Sequence, residues 1–250
     1  MAMTDNEQSP AYVAFGAAGG IGQSLCRRLA AQGARLLLAG RSQERLQSLA
    51  DELQAPTCVL NPTRFDEVDA CLEQALALFG RLDGAANCIG SIVLKPAHST
   101  SEAEWHDTLA ANLTTAFAIT RASAKALQNS GGSIVLVSSA AARIGLANHE
   151  AIAAAKAGII GLTLSAAATY GPRGIRVNCV APGLVRTPMT ARLTANEATL
   201  KMSTSMHALG RIGEPDDVVA AIEWLLSPQQ SWVTGQVLGI DGGLGSVRAR

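Results

Sequence analysis

Short apolar runs alternate with longer helix-like runs from one end of the chain to the other, and no other feature restricts its fold as strongly. Residues 11–15, 35–39, 57–60, 84–87 and 133–138 read as strands. They are continuously apolar rather than alternating, the pattern of strands covered on both faces. Between them, 21–32, 43–53, 65–79, 101–128 and 150–170 read as helices. A strand over 175–180 follows, then a Pro/Gly-rich connection, a polar stretch over 187–214, a helix over 215–226 and a last strand near 237–240. Gly33 closes the first helix, Pro215 opens the late one, and Pro172-Arg173-Gly174 interrupts the chain before the sixth strand. Such alternation argues a parallel sheet with helices packed on it, and right-handed crossovers make a doubly wound sheet the natural arrangement. The expectation is one α/β domain over 1–250, with helices on both faces of the sheet.

Composition narrows the function classes. The chain has 250 residues, 48% apolar and 16% charged, with no net charge. That supplies a large core and offers no basic stripe for nucleic acid. Five cysteines at wide, irregular spacing form no metal-ligand pattern and no disulfide framework, which favours a reducing, cytoplasmic setting. The first eight residues show neither a basic region nor an apolar one, so no signal peptide is read there. The stretch 151–170 is apolar enough to raise a membrane span, but Lys156 sits inside it and small residues dominate. A helix apolar all round is better read as buried on several sides, against the sheet and against another subunit.

Two segments carry ligand chemistry. After the first strand, Gly16, Gly20, Ile21 and Gly22 lie in a G-x-x-x-G-x-G loop that leads straight into a helix. Such glycines permit a tight turn, a close approach of backbone to a pyrophosphate and close packing of helix on strand. The helix N-terminus adds free N–H groups and a positive dipole for the phosphates. The second strand ends Leu38-Ala39-Gly40-Arg41-Ser42. It lacks the acidic residue that would accept ribose hydroxyls of NAD, and Arg41 places a guanidinium where a 2′-phosphate would lie, with Ser42 beside it as a second donor. The expected cofactor is NADP(H).

A third segment reads Ser138-Ser139, then Asn148-His149-Glu150-Ala151-Ile152, then Lys156. This resembles the active-site segment of the short-chain dehydrogenase/reductases, in which Ser is followed thirteen residues later by Tyr and four later by Lys. Ser139 and Lys156 stand at those spacings, and Ile152 stands where the family has tyrosine. The resemblance extends from about residue 10 to 245. It implies a Rossmann fold and places Asn61 and Asn87-Cys88-Ile89-Gly90 in the family's turns after the third and fourth strands. It likewise matches Asn112 to the family's water-holding helix asparagine. Pro182-Gly183 and Thr187 fall in the segment that borders the nicotinamide. Cofactor contacts are therefore expected from Gly16, Gly20, Ile21, Gly22, Arg41, Ser42, Asn61, Asn87, Gly90, Lys156, Pro182, Gly183 and Thr187. Catalytic roles are expected at Ser139, Lys156, Asn112 and, as a substitute donor, His149. The resemblance also implies a homotetramer built on paired long helices, with 184–214 as a substrate lid.

In the family the tyrosine phenol gives a proton to a carbonyl oxygen as hydride arrives, and Lys lowers its pKa. Positions 152 and 156 share a helical face, so Ile152 fills the volume beside Lys156 and carries no proton. Losing a positioned general acid costs about 10²–10⁴-fold. Three readings follow: an NADP(H)-dependent oxidoreductase of a small carbonyl, imine or conjugated enone with non-standard acid–base equipment; a pseudoenzyme that keeps NADP(H) for sensing or scaffolding; and an ordinary carbonyl reductase with an unexpected donor. His149, seven residues before Lys156, is the first candidate donor, although it precedes position 152 by about one turn. A histidine there also reads as a helix-start residue facing solvent.

Overall fold

A computed structural model describes residues 9–247; the first eight residues, where the N-terminal reading falls, lie outside it. Seven strands form one parallel sheet: β1 (Ala11–Phe15), β2 (Arg35–Gly40), β3 (Thr57–Val59), β4 (Gly84–Asn87), β5 (Gly132–Val137), β6 (Ile175–Pro182) and β7 (Val237–Ile240). Their order is β3-β2-β1-β4-β5-β6-β7, so the chain crosses over β1 between β3 and β4. The crevice at the C-terminal ends of β1 and β4 is the topological switch point, where open α/β sheets bind ligands.

The helices are α1 (Gly20–Ala31), α2 (Gln43–Leu53), α3 (Phe65–Phe79), α4 (Glu102–Leu109), α5 (Thr115–Leu127), α6 (Glu150–Tyr170), the short α7 (Ala191–Thr194), α8 (Glu197–Met206) and α9 (Pro215–Leu226). Strand β1 shows why they must lie on both faces. Val13 and Phe15 enter one core with Cys71 of α3, Ile119 of α5 and Ile159 of α6. Tyr12 and Ala14 enter the other with Leu25 of α1, Leu49 of α2 and Val219 of α9. Successive side chains of a strand point to opposite faces, and here both faces are dry. The expected doubly wound α/β architecture is what the chain adopts.

Local signals hold at several boundaries. Gly33 takes φ +80° after α1, and the N–H of Ala34 donates back to the Leu29 carbonyl at 3.1 Å. Pro215 opens α9 behind Glu214, whose carboxylate pairs with the Asp217 position in a reciprocal cap. Two expectations need correction. The single helix over 101–128 is two, α4 and α5, joined by a π turn over Ala110–Thr114. The polar stretch over 187–214, read without helices, contains α7 and α8.

Helix α6 is long and apolar enough, by length and composition, to cross a membrane, yet 44% of that window is buried in the fold. Its buried positions, including Ile152, Lys156, Ile159 and Thr163, follow a helical stripe toward the sheet. Its outer face is open, with Leu164 half exposed.

Candidate functional site

The glycine-rich loop is built by contacts that exclude side chains. Gly16 has φ +77°, and a Cβ on it would lie 2.9 Å from the Cys88 carbonyl carbon. A Cβ on Gly22 would collide with the Gly16 carbonyl oxygen, so α1 rests directly on the loop. Helix α1 starts at Gly20 with no side-chain cap from Gly19. Its first-turn N–H groups are therefore left to an external acceptor. A Cβ on Gly20 would lie 2.9 Å from Cβ and Cγ2 of Thr187. Thr187, 167 residues later in the chain, thus closes over the cradle.

At the other end of the crevice, Arg41 is exposed beyond β2 and makes no bond to the rest of the described residues. The Ser42 Oγ accepts the Arg45 N–H at 3.3 Å and caps α2, which leaves its own hydrogen free to donate. Arg45, which the sequence reading passed over, donates from Nη2 to the Ala18 carbonyl inside the glycine loop at 2.9 Å. Only its place three residues past a cap hints at this. The Asn61 Oδ1 accepts from both the N–H and the hydroxyl of Thr63, at 3.2 and 2.9 Å. No bond to the Asn61 amide nitrogen is found among the described residues.

Three elements meet at Gly90. Buried Asn87 accepts the Ile89 N–H at 3.0 Å and so shapes the turn after β4. A Cβ on Gly90 would lie 3.1 Å from Asn112 Oδ1 and 3.2 Å from Lys156 Nζ, so the turn, the π segment and α6 meet there. Asn112 spends its amide on structure: Nδ2 donates to the Thr108 carbonyl and to Ser91 Oγ, both at 2.9 Å, and Oδ1 accepts the Ser91 N–H at 3.2 Å. The π turn explains how an asparagine is tolerated mid-helix, because the bulge frees backbone groups at the site.

Lys156 is buried, and its Nζ donates to the Val137 carbonyl at 3.0 Å. Burial pushes this amine down to about 8. The neighbouring thiols of Cys88 and Cys179 are pushed up by burial to about 12 and about 11, so they stay neutral beside it. Ser138 anchors the same residue by donating its hydroxyl to the Lys156 carbonyl at 2.7 Å. Ser139, in extended backbone, accepts the Ala141 N–H on Oγ at 3.1 Å and keeps its hydrogen for another acceptor.

Ser139, His149 and Ile152 line a cavity of about 500 Å³ with Pro182 and Gly183, under Met202 and Met206 of the overlying segment. Lys156 is not on its wall; Ile152, one turn before, is. His149 immediately precedes α6, and its Nδ1 lies 2.8 Å from the Ala147 carbonyl. A carbonyl only accepts, so Nδ1 carries the hydrogen and neutral His149 offers Nε2 as an acceptor. Helix α6 begins one residue after His149, and the histidine lines the cavity while staying partly exposed.

The overlying segment is pinned at both ends. Val185 bridges Gly213, the Gly213 N–H donates to the Leu184 carbonyl at 2.8 Å, and the Arg186 N–H donates to the Gly213 carbonyl at 2.9 Å. His207, set aside by the sequence reading, is buried against Gly183. Its Nδ1 donates to the Ser203 carbonyl at 2.6 Å and its Nε2 accepts the Leu184 N–H at 3.3 Å. No local sequence signal announces that contact. A larger hollow of about 770 Å³ lies by Arg81, Gly132, Ile175 and Trp232, at the N-terminal ends of the strands and away from the crevice.

Comparison with known proteins agrees with this geometry. The family model described as enoyl-(acyl carrier protein) reductase matches residues 16–245. The chain is 37% identical to the 3-oxoacyl-(acyl-carrier-protein) reductase of Thermotoga maritima, over 92% of this chain and 95% of that one. It is 36% identical to the short-chain dehydrogenase/reductase aba4 of Botryotinia fuckeliana, over 91% and 93%. Among solved structures it resembles actinorhodin polyketide ketoreductase with NADPH, with TM-score 0.91 and 28% identity over 99% of this chain and 100% of that one.

Proposed function

The chain belongs to the short-chain dehydrogenase/reductase family, and on that premise we propose that it is an NADP(H)-dependent oxidoreductase with non-standard acid–base equipment, acting on a small carbonyl, imine or conjugated enone. The observation that carries this reading is the pairing on α6 of a buried amine, Lys156, with Ile152, the apolar residue one turn before it on the cavity wall.

The residues present fit a dinucleotide. Gly16, Gly20 and Gly22 hold the loop, α1 and Thr187 closer together than any Cβ would allow, Ile21 follows into the helix, and the start of α1 has no side-chain cap. Arg41 and Ser42 would hold the 2′-phosphate, and Asn61 the adenine. Asn87, Gly90, Pro182, Gly183 and Thr187 would border the nicotinamide, and Lys156 the adjoining ribose. When bound, NADP(H) supplies hydride exchange with the substrate. Ser139 directs its hydroxyl at the oxygen or nitrogen that gains charge, which a preorganised donor stabilises. Lys156 holds a proton at Nζ below about pH 8, and Asn112 fixes the turn against which that amine sits. His149 offers a second proton only as imidazolium, because its neutral form presents Nε2 without hydrogen. Ile152 supplies shape alone. Substrates whose reduction needs little enzyme-borne proton, such as an iminium or an enone, therefore suit the site best. The homologues named for oxo-acyl substrates support a small carbonyl-type ligand.

Residues 184–214 serve as the substrate lid in this reading, within one domain spanning 1–250. The homotetramer is supported by the outer faces of α3, α5 and α6, where Phe65, Phe117 and Leu164 are exposed. Five free thiols suit the cytoplasm. The test is stopped-flow NADPH oxidation against matched ketones, imines and enones. Turnover with an imine or enone exceeding that with simple ketones is expected. Tight NADPH binding with no turnover on any of the three would replace this reading with a cofactor-binding pseudoenzyme.

A further inference from the structure

Helix α8 lies over the cavity with little to hold it there. It has no fully buried side chain, and Met202 on it is exposed. Its other side-chain bonds are local: Asn196 Oδ1 accepts the Thr199 N–H at 2.9 Å, and the Ser205 hydroxyl donates to the Met202 carbonyl at 2.8 Å. A segment with so few buried contacts belongs to the low-stability end of a fold. The residue that ends the helix is the exception. His207 is buried, and its imidazole joins the Ser203 carbonyl of α8, at 2.6 Å, to the Leu184 N–H beyond β6, at 3.3 Å. Among the described residues, no other side chain of 197–207 bonds to another element.

The two bonds admit one protonation state. A carbonyl only accepts, so Nδ1 carries the hydrogen; an N–H only donates, so Nε2 carries none. A proton added at Nε2 would set two donors facing each other, with the backbone of Gly183 and Gly242 closing on the ring from two sides. The hollow behind the ring holds Arg211, Asp217 and Asp241. Arg211 and Asp217 pair with each other at 2.6 and 2.8 Å, and the Asp241 oxygens accept the N–H groups of Gly243 and Gly245, both at 3.0 Å. Across the cavity His149 is the other titratable residue of the described wall, and Glu197 and Lys201 of α8 are exposed. None of these groups bonds the imidazole. The flanks are tied by groups that do not titrate: the Thr190 hydroxyl donates to the Val185 carbonyl at 2.5 Å, and the Leu209 N–H to the Gly242 carbonyl at 3.0 Å.

We propose that His207 is a positioning residue that docks α8 over the cavity only while its imidazole is neutral, so that proton uptake at this residue lowers substrate affinity. The effect on substrate rests on the lid reading above, whereas the docking does not. The docked form holds one proton fewer than the undocked form, so docking is complete at high pH and is lost as pH falls. An imidazole in water takes up its proton near about pH 6.5, so the ratio of docked to undocked α8 falls about tenfold between about pH 7.5 and about pH 5.5.

Hydrogen exchange of the full-length protein, read by mass spectrometry and corrected for the intrinsic pH dependence of exchange, tests the docking. Protection of the peptides carrying Leu184 and α8 should fall about tenfold between those two pH values, while β5 peptides stay constant. His207→Gln, whose amide oxygen can accept the Leu184 N–H without titrating, should keep high protection at both. His207→Asn, too short to reach Leu184, should be poorly protected at both. Wild-type protection that does not change with pH overturns the proposal, as does a fall shared equally by β5. A fall that persists in His207→Gln, or that vanishes in His149→Gln, overturns it too, because another group then titrates. For substrate, the KM of the wild type divided by that of His207→Gln should be near one at the higher pH. It should rise several-fold at the lower pH, with the kcat ratio unchanged. A level KM ratio overturns the effect on substrate. Protein with no turnover on ketone, imine or enone refutes the oxidoreductase reading, and the exchange result then decides the docking by itself.

Discussion

Ile152 and Lys156 stand one turn apart on the same buried stripe of α6, at 4% and 7% exposure, yet only Ile152 reaches the wall of the cavity. The apolar side chain therefore stands between the cavity and the buried amine. What the site does with protons follows from that separation.

Replacing Ile152 with Tyr should raise NADPH-dependent reduction of an activated aryl ketone at least tenfold, with an upper bound of about 10⁴ set by general-acid catalysis. Ser139 and Lys156 already flank the position. Overpacking opposes the gain by about 1–3 kcal/mol, although the adjoining cavity gives the ring somewhere to go. A variant that binds NADPH normally and gains nothing would show that the ketone pocket is missing. Wild-type turnover that disappears in His149→Ala would instead identify His149 as the donor.

Cofactor choice should rest on Arg41. Calorimetry is expected to show NADPH preferred over NADH by tenfold or more, about 1.4 kcal/mol, with Arg41→Ala erasing most of the difference. Arg45→Ala removes the tie to Ala18, a hydrogen bond of about 1 kcal/mol, and should weaken both cofactors alike. Equal affinities for the two cofactors in the unmutated protein would refute the role of Arg41.

Lys156→Met should stabilise the free protein at pH 7. The folded pKa of this amine, about 8, lies below its ordinary 10.5. Between those values the unfolded chain binds more protons, so stability rises with pH through that window, and the full penalty is felt below about pH 8. At 1.36 kcal/mol per unit the penalty is about 3 kcal/mol, less about 1 kcal/mol for the lost bond to Val137. Urea denaturation at pH 7 and pH 10 checks the sign: the advantage of the Met variant should shrink at the higher pH. A Met variant equally destabilised at both would contradict it.

Gly22→Ala should cost about 1–3 kcal/mol of stability through overpacking, because the new methyl collides with the Gly16 carbonyl. NADPH affinity should fall with it, since α1 can no longer rest on the loop. Thermal melts with and without NADPH measure both, and an unchanged melting temperature would show that the helix sits further from the loop than described.

The sequence by itself determined the seven strands, the placing of the glycine loop between β1 and α1 and the start of α9 at Pro215. Those are local properties, written in periodicity and turn chemistry within a few residues. The resemblance of its spacing to the short-chain family's pattern also grouped Ser139, Ile152 and Lys156. Tertiary structure decided the rest. The helix over 101–128 breaks at a π turn, where Asn112 bonds Ser91, twenty-one residues away. Arg45 enters the glycine loop, Thr187 closes on Gly20, and His207 locks beneath Gly183. Each of these contacts joins segments whose separation in space is set by the packing of helices on a sheet. A hydrogen bond or a touching methyl depends on that separation to within an ångström, and no periodicity along the chain encodes it.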